Sequence, residues 1–123
     1  PDYARKMSLM EIKVDSIDAT ERCIFSAVSA GQALGPESSM LNGVGSETQQ
    51  EISALALEAT GGYCAPFVRD TFAIAREGRN AELPTPDYAL PVAPSYLNYR
   101  KASIYAGSNE IQRNIMSKMI LAL

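Results

Sequence analysis

The chain has no histidine and no tryptophan, and its two cysteines, Cys23 and Cys64, lie far apart in the sequence. The absence of histidine excludes Ser-His and Cys-His nucleophilic catalysis within this chain. No metal site is expected, because neither cysteine has a second cysteine or a histidine near it. The spacing favours a reduced pair of thiols and leaves a disulfide open.

Long apolar runs and basic clusters are also missing. No apolar stretch approaches the length that spans a membrane. The formal net charge is −3, and no Lys/Arg cluster is interleaved with aromatic residues, so no nucleic-acid partner is expected. The first residues, PDYARKM, have neither an initiator Met nor the features of a signal or transit peptide. We therefore expect a fragment, a processed product or a separate subunit, located in a bacterial-type cytoplasm.

Helical periodicity dominates what is present. The 123 residues, 46% of them hydrophobic, suffice for one modest domain with a core, spanning residues 1–123. A first helix is predicted over about 3–30, with apolar residues at alternating three- and four-residue steps. Its stripe consists of Met7, Met10, Val14, Ile17, Ile24 and Val28. Glu21 falls on this stripe, where a bridged or rim-exposed carboxylate is favoured over a catalytic one.

Three further helical patterns follow. The second, over about 36–60, begins with Pro36 and ends at Gly61-Gly62. The other two run from Pro94 to Tyr105 and over about 109–122. Five prolines in residues 61–94 predict a long irregular connection, interrupted by one short helix over about 68–76. The aromatic residues of this connection favour packing against a partner over a solvated linker.

The segment 105–113, YAGSNEIQR, predicts a glycine turn that leads into the last helix. Gly107 would take the left-handed conformation, Ser108 would cap the helix, and Glu110 would lie in its first turn. The free amides at such a helix start can hold an anion, for example a phosphate-bearing cofactor. On local chemistry alone, a helix-helix corner that binds nothing is the commoner explanation.

The motifs resemble the C-terminal helical domain of the acyl-CoA dehydrogenases, flavoproteins that desaturate acyl thioesters. The resemblance rests on three stretches and covers most of the chain. They are YAGSNEIQRNI at 105–115, LALEATGG at 55–62 and GPESSML at 35–41. It implies an all-α, antiparallel helical bundle with an irregular connection at about 61–94. It also implies that the first helix of the bundle and two preceding domains are missing here.

The resemblance assigns two groups of residues to FAD. Ser108, Asn109 and Glu110 match the segment that contacts the cofactor from the start of the last helix. Glu58, Ala59, Thr60, Gly61 and Gly62 match the segment that lies against the FAD of a neighbouring subunit. Because the family often has Gln where Glu58 stands, a side-chain hydrogen bond at that position stays open.

Gly107 matches the glycine that offers its backbone N–H to the thioester carbonyl of the acyl-CoA substrate. Many family members carry the catalytic Glu immediately before this glycine, where this chain has Ala106. No catalytic residue is therefore assigned in this chain. Either the base lies on an earlier helix, before Pro1, or this chain belongs to a non-catalytic subunit that pairs with an active one.

The resemblance also implies partners. The isolated chain is expected to be inactive, since the flavin ring and much of the acyl-CoA are held by the missing domains. An electron-transfer flavoprotein-type acceptor and an oligomer, either a dimer or a dimer of dimers, are implied. The different-class alternative is an oligomerisation module with no chemistry of its own.

Overall fold

A computed structural model describes residues 2–69 and 84–122, and these residues form helices without any strand. The α-helices are α1 (Asp2–Ser29), α2 (Glu37–Thr60), α3 (Val92–Tyr99) and α4 (Asn109–Leu121). Short 3-10 helices occur at Gly61–Cys64, Asp87–Ala89 and Arg100–Ser103. The all-α prediction is confirmed.

The predicted boundaries of α1, α2 and α4 are confirmed to within one residue, because caps and glycines mark them. Gly61 ends α2 with a φ of +51°. The pattern predicted from Pro94 begins earlier, at Val92, and its end is a 3-10 turn. Prolines are tolerated in the first turn of a helix, so Pro94 did not mark the start. The short helix predicted over about 68–76 falls mainly outside the described residues.

The chain divides into two compact units. One consists of Pro1–Gln49 and Lys101–Leu123, and the other of Gln50–Arg100. In the first unit, a groove of about 280 Å³ joins the end of α1 to residues 32–37, and another of about 450 Å³ joins residues 9–20 to Met40, Leu41 and Val44. The end of α1 thus lies near the start of α2, and earlier residues of α1 lie beside later residues of α2. The two helices therefore form an antiparallel hairpin.

The face that α1 turns inward differs from the predicted stripe. Its half-buried positions are Lys6, Met10, Lys13, Ile17, Thr20, Ile24 and Ala27. Met7, Val14 and Val28 are exposed, and no residue of α1 is fully buried. The periodicity identifies the helix correctly, but lysine stems and Thr20 occupy positions that a purely apolar pattern misses.

The second unit contains an arginine clamp between α3 and α2. The Nη2 atom of Arg100 donates to the backbone oxygen of Gln50 and to Ser53 Oγ, both at 2.7 Å. Its Nε atom donates to the Tyr96 carbonyl at 3.2 Å, and the guanidinium lies 4.2 Å from the centroid of the Tyr96 ring. Gln50 Nε2 donates in return to the Arg100 carbonyl at 3.2 Å.

The core is smaller than the composition suggests. Among the described residues, the buried apolar side chains are Ala89, Leu90 and Ala102. Many large apolar side chains are exposed, among them Met7, Phe25, Tyr63, Phe67, Tyr88, Ile111, Ile115, Met119 and Ile120. None of the described helices is long and apolar enough to cross a membrane. Much of the apolar surface of α4 is therefore uncovered.

Candidate functional site

The turn that precedes α4 has the predicted backbone conformation. Gly107 has a φ of +89°, and Ser108 follows in an extended conformation as the N-cap of α4. Ser108 Oγ accepts a hydrogen bond from the Ile111 backbone N–H at 3.4 Å. A tight turn leads into this site, because the N–H groups of Ile104 and Tyr105 both donate to the Lys101 carbonyl, at 3.0 and 3.1 Å.

Gly107 is the position at which the turn requires glycine. A φ of +89° strains any residue with a Cβ atom. A Cβ added here would also lie 2.8 Å from Gln112 Nε2. Gly107 is exposed, and its backbone N–H has no partner among the described residues, so it can donate to an incoming acceptor. Ala106 lies exposed beside it and contributes only a methyl group.

Glu110 gives this turn a negative charge. A hydrogen bond from its own backbone N–H lowers the pKa of its carboxyl group, and the Ser108 side chain lowers that pKa further. The carboxyl group is fully exposed to solvent. The site thus combines backbone N–H donors at a helix start with a carboxylate that accepts hydrogen bonds.

Asn109, the first residue of α4, turns its side chain inward. It is 5% exposed, and its Oδ1 atom accepts a hydrogen bond from Ser46 Oγ at 3.0 Å. Its Nδ2 atom donates to Glu47 Oε1 at 3.3 Å, and Arg113 Nη2 donates to the same oxygen at 2.9 Å. Sequence reasoning missed this network, because no local signal pairs residues more than 60 positions apart.

The second predicted group lies in the second unit, at the end of α2 and in the 3-10 helix that follows. Glu58, Ala59, Gly61 and Gly62 are exposed. A Cβ added at either glycine would have no atom within 4 Å, so the backbone there is open. The Thr60 hydroxyl donates to the carbonyls of Ala56 and Leu57, at 3.0 and 3.1 Å, so its hydrogen-bond acceptors lie within its own helix.

The structure also shows the surroundings of three other residues considered in the sequence, Glu21, Cys23 and Cys64. Glu21 is exposed, as the rim interpretation expected. Cys23 and Cys64 are free thiols. Within residues 2–69 and 84–122, no cluster of acidic, cysteine or histidine side chains is arranged to hold a metal ion.

Comparison with known protein families identifies the family of this chain. A family model described as the C-terminal domain of acyl-CoA dehydrogenase matches residues 1–121. No match was found among curated proteins or among solved structures. Because the family match covers nearly the whole chain and agrees with the all-α fold, the chain belongs to the acyl-CoA dehydrogenase family, as its C-terminal domain.

Proposed function

We propose that this chain is the C-terminal part of an FAD-dependent enzyme that desaturates an acyl-CoA thioester between its α- and β-carbons. Residues 1–123 act as one C-terminal helical-bundle domain of that enzyme. The observation that carries the proposal is the turn before α4. In it, an exposed Gly107 N–H and a Ser108 cap occur within the motif that resembles the family's substrate and cofactor segment.

Gly107 donates its backbone N–H to the thioester carbonyl of the substrate. As a base removes the α-proton, negative charge develops on that oxygen, and a donor held in place stabilises it. The positive φ of Gly107 supports this role, because glycine at such a position lets the backbone approach a ligand closely. The base is not supplied by Ala106 and lies outside this chain.

The residues at the start of α4 suit the donors and acceptors of FAD. When bound, FAD accepts the hydride from the β-carbon. The backbone amides at the helix start suit its phosphates, since the helix dipole favours negative charge there. The ionised Glu110 carboxylate would repel phosphate and suits hydroxyl or amino donors instead. The side chain of Asn109 is engaged by Ser46 and Glu47, so this residue meets FAD through its backbone.

Glu58, Ala59, Thr60, Gly61 and Gly62 form a second surface, which lies against the FAD of a neighbouring subunit. The open backbone of Gly61 and Gly62 supports this, because a flat cofactor can approach it closely. A neighbouring subunit at this surface implies a dimer or a dimer of dimers. The proposal also includes an electron-transfer flavoprotein-type acceptor and a bacterial-type cytoplasmic location.

A variant of Gly107 tests the proposal in the full flavoprotein that contains this chain. Gly107→Ala is compared with Gly31→Ala, because Gly31 has a similar φ of +84° and open space around it. Both changes cost about 1–2 kcal/mol of backbone strain. We expect kcat to fall by about 10²-fold in Gly107→Ala alone, as when an oxyanion donor is displaced. Equal kcat in the two variants would contradict the role of Gly107.

The second candidate function is a non-catalytic subunit of a hetero-oligomeric acyl-CoA dehydrogenase-like complex. Ala106 at the usual base position favours it, and so does the exposed apolar surface of α4. Native mass spectrometry with a visible absorption spectrum of the same sample separates the two. Flavin bound to an assembly in which every subunit contains this chain supports the hypothesis that the chain is part of the enzyme. Flavin held only together with a different polypeptide supports the silent subunit.

A further inference from the structure

The network around Asn109 ties the start of α4 to the middle of α2. Two residues of α2 bind the Asn109 amide. Ser46 Oγ donates to Asn109 Oδ1 at 3.0 Å, and Asn109 Nδ2 donates to Glu47 Oε1 at 3.3 Å. All of these residues belong to the first unit. Asn109 follows the cap residue Ser108 directly and lies two positions after Gly107. The hydrogen bonds of the Asn109 side chain therefore hold the backbone directly beside the turn that carries the Gly107 N–H and the Ser108 hydroxyl.

The buried amide is the strong element of this network. Asn109 is 5% exposed, and a buried amide that loses its partners is costly, whereas a bonded one holds a single orientation. The Glu47–Arg113 ion pair at 2.9 Å is weaker, because the two side chains are 45% and 63% exposed. Arg113 neutralises the carboxylate and holds it in place one helical turn after Asn109.

Helix starts usually fray, because their first N–H groups lack partners within the helix. Here the first residue of α4 is anchored by its side chain, beyond the local cap that Ser108 provides. A structural corner needs only the cap and the glycine. The additional anchor holds the backbone next to the exposed residue Gly107, which carries the proposed donor.

We propose that Glu47 and Asn109 are positioning residues for the Gly107–Ser108 turn. Their side chains touch neither substrate nor cofactor. Their hydrogen bond sets the orientation in which the Gly107 N–H meets the thioester carbonyl and Ser108 meets FAD. This assignment rests on the proposed function. It gives the Asn109 side chain a role different from cofactor contact.

The test uses kcat, KM and the visible flavin spectrum of the full flavoprotein. Asn109→Ala and Glu47→Ala are compared with Gln49→Ala. Gln49 is an exposed residue of α2, two positions after Glu47. We expect each of the first two variants to lower kcat at least about tenfold, because small misplacements of a catalytic group are costly. KM should change less than kcat, and Gln49→Ala should behave as the parent.

A conservative variant and a double variant separate positioning from simple stabilisation. Glu47→Gln keeps an oxygen for Asn109 and should keep kcat within about threefold of the parent, whereas Glu47→Ala does not. The Glu47→Ala/Asn109→Ala double variant should be about as slow as either single variant, because both break one shared contact. Melting temperatures of all variants are recorded alongside.

Two outcomes would overturn the assignment while leaving the proposed function in place. The first is an unchanged kcat in Asn109→Ala and Glu47→Ala, with only the melting temperature lowered, when Gly107→Ala is slow. The second is a fall in kcat for Glu47→Gln that is as large as the fall for Glu47→Ala. If Gly107→Ala instead equals Gly31→Ala, the proposed function fails, and the positioning role fails with it.

Discussion

α1 and α2 are long helices of similar predictability, but they differ in what they bury. α1 has 28 residues and none is buried, whereas α2 has 24 residues and buries Ser39, Thr48 and Ser53. The buried hydroxyls of Thr48 and Ser53 donate to carbonyls of their own helix, both at 2.7 Å. Small, self-satisfied hydroxyls can be buried at little cost.

The same chemistry occurs on α1 without burial. The Ser16 and Thr20 hydroxyls also donate to carbonyls of their own helix, at 2.7 and 2.8 Å. The difference between the helices therefore lies in their neighbours: α2 is covered by other parts of the chain, and much of α1 is not. The exposed large apolar residues of α1 are Tyr3, Met7, Leu9, Ile12, Val14, Phe25 and Val28. Exposed apolar surface of this extent is typical of interaction sites.

The largest effect is expected for Arg100→Ala, which removes the clamp on α2. The variant loses two 2.7 Å hydrogen bonds and leaves the Ser53 hydroxyl, 8% exposed, without its donor. We expect the free energy of unfolding to fall by about 2 kcal/mol in chemical denaturation. Arg22→Ala is the matched control on α1, where one exposed ion pair with Asp18 is lost, and should cost less than about 0.5 kcal/mol. Similar losses of unfolding free energy in the two variants would contradict the conclusion that α2 is better covered than α1.

Gly45→Ala on α2 should stabilise the chain. Glycine within a helix costs up to about 1 kcal/mol relative to alanine, and a Cβ at Gly45 would meet no atom within 4 Å. We expect a gain of about 0.5–1 kcal/mol in the same unfolding measurement. The full flavoprotein provides the control: stabilisation of the chain with impaired assembly there would show that a partner approaches this glycine. A loss of stability in the isolated chain would contradict the open surroundings.

A polar substitution on the exposed face of α1 should change little. Phe25 is 64% exposed, so Phe25→Ser should alter the free energy of unfolding of the isolated chain by less than about 0.5 kcal/mol. Its neighbour Ile24 is half-buried and lines the groove toward α2, so Ile24→Ser should cost more. An equal loss from both changes would mean that Phe25 is covered after all.

The smallest effect concerns the pKa of Glu110. Hydrogen bonds from its own backbone and from Ser108 lower this pKa in the folded chain. The ionised Glu110 carboxylate therefore stabilises the folded chain at pH values above the pKa of an unfolded glutamate, about 4.3. This stabilisation is lost as the pH falls through the lower pKa that Glu110 has in the folded chain. Ser108→Ala should raise the pKa of Glu110 in an NMR titration. The pKa of Asp2, lowered by Arg5 and Lys6, is the internal control and should stay unchanged.

Much of the helical structure could be predicted from local sequence. The ends of α1, α2 and α4 were predictable because glycines and a serine cap act within one or two turns of the helix that they terminate. The Gly107–Ser108 turn was predictable for the same reason. The inward face of α1 was not, because the positions of Lys6, Lys13 and Thr20 depend on which helices pack against it.

The sequence by itself determined the boundaries of α1, α2 and α4, the left-handed turn at Gly107 and the family to which the chain belongs, since these depend on residues close together in the chain. Only the tertiary structure decided that Asn109 is held by Ser46 and Glu47, and that Arg100 clamps Gln50 and Ser53. These contacts join residues about 50 to 60 positions apart, and hydrogen bonds at such separations leave no local pattern. Packing also decided which apolar side chains stay exposed.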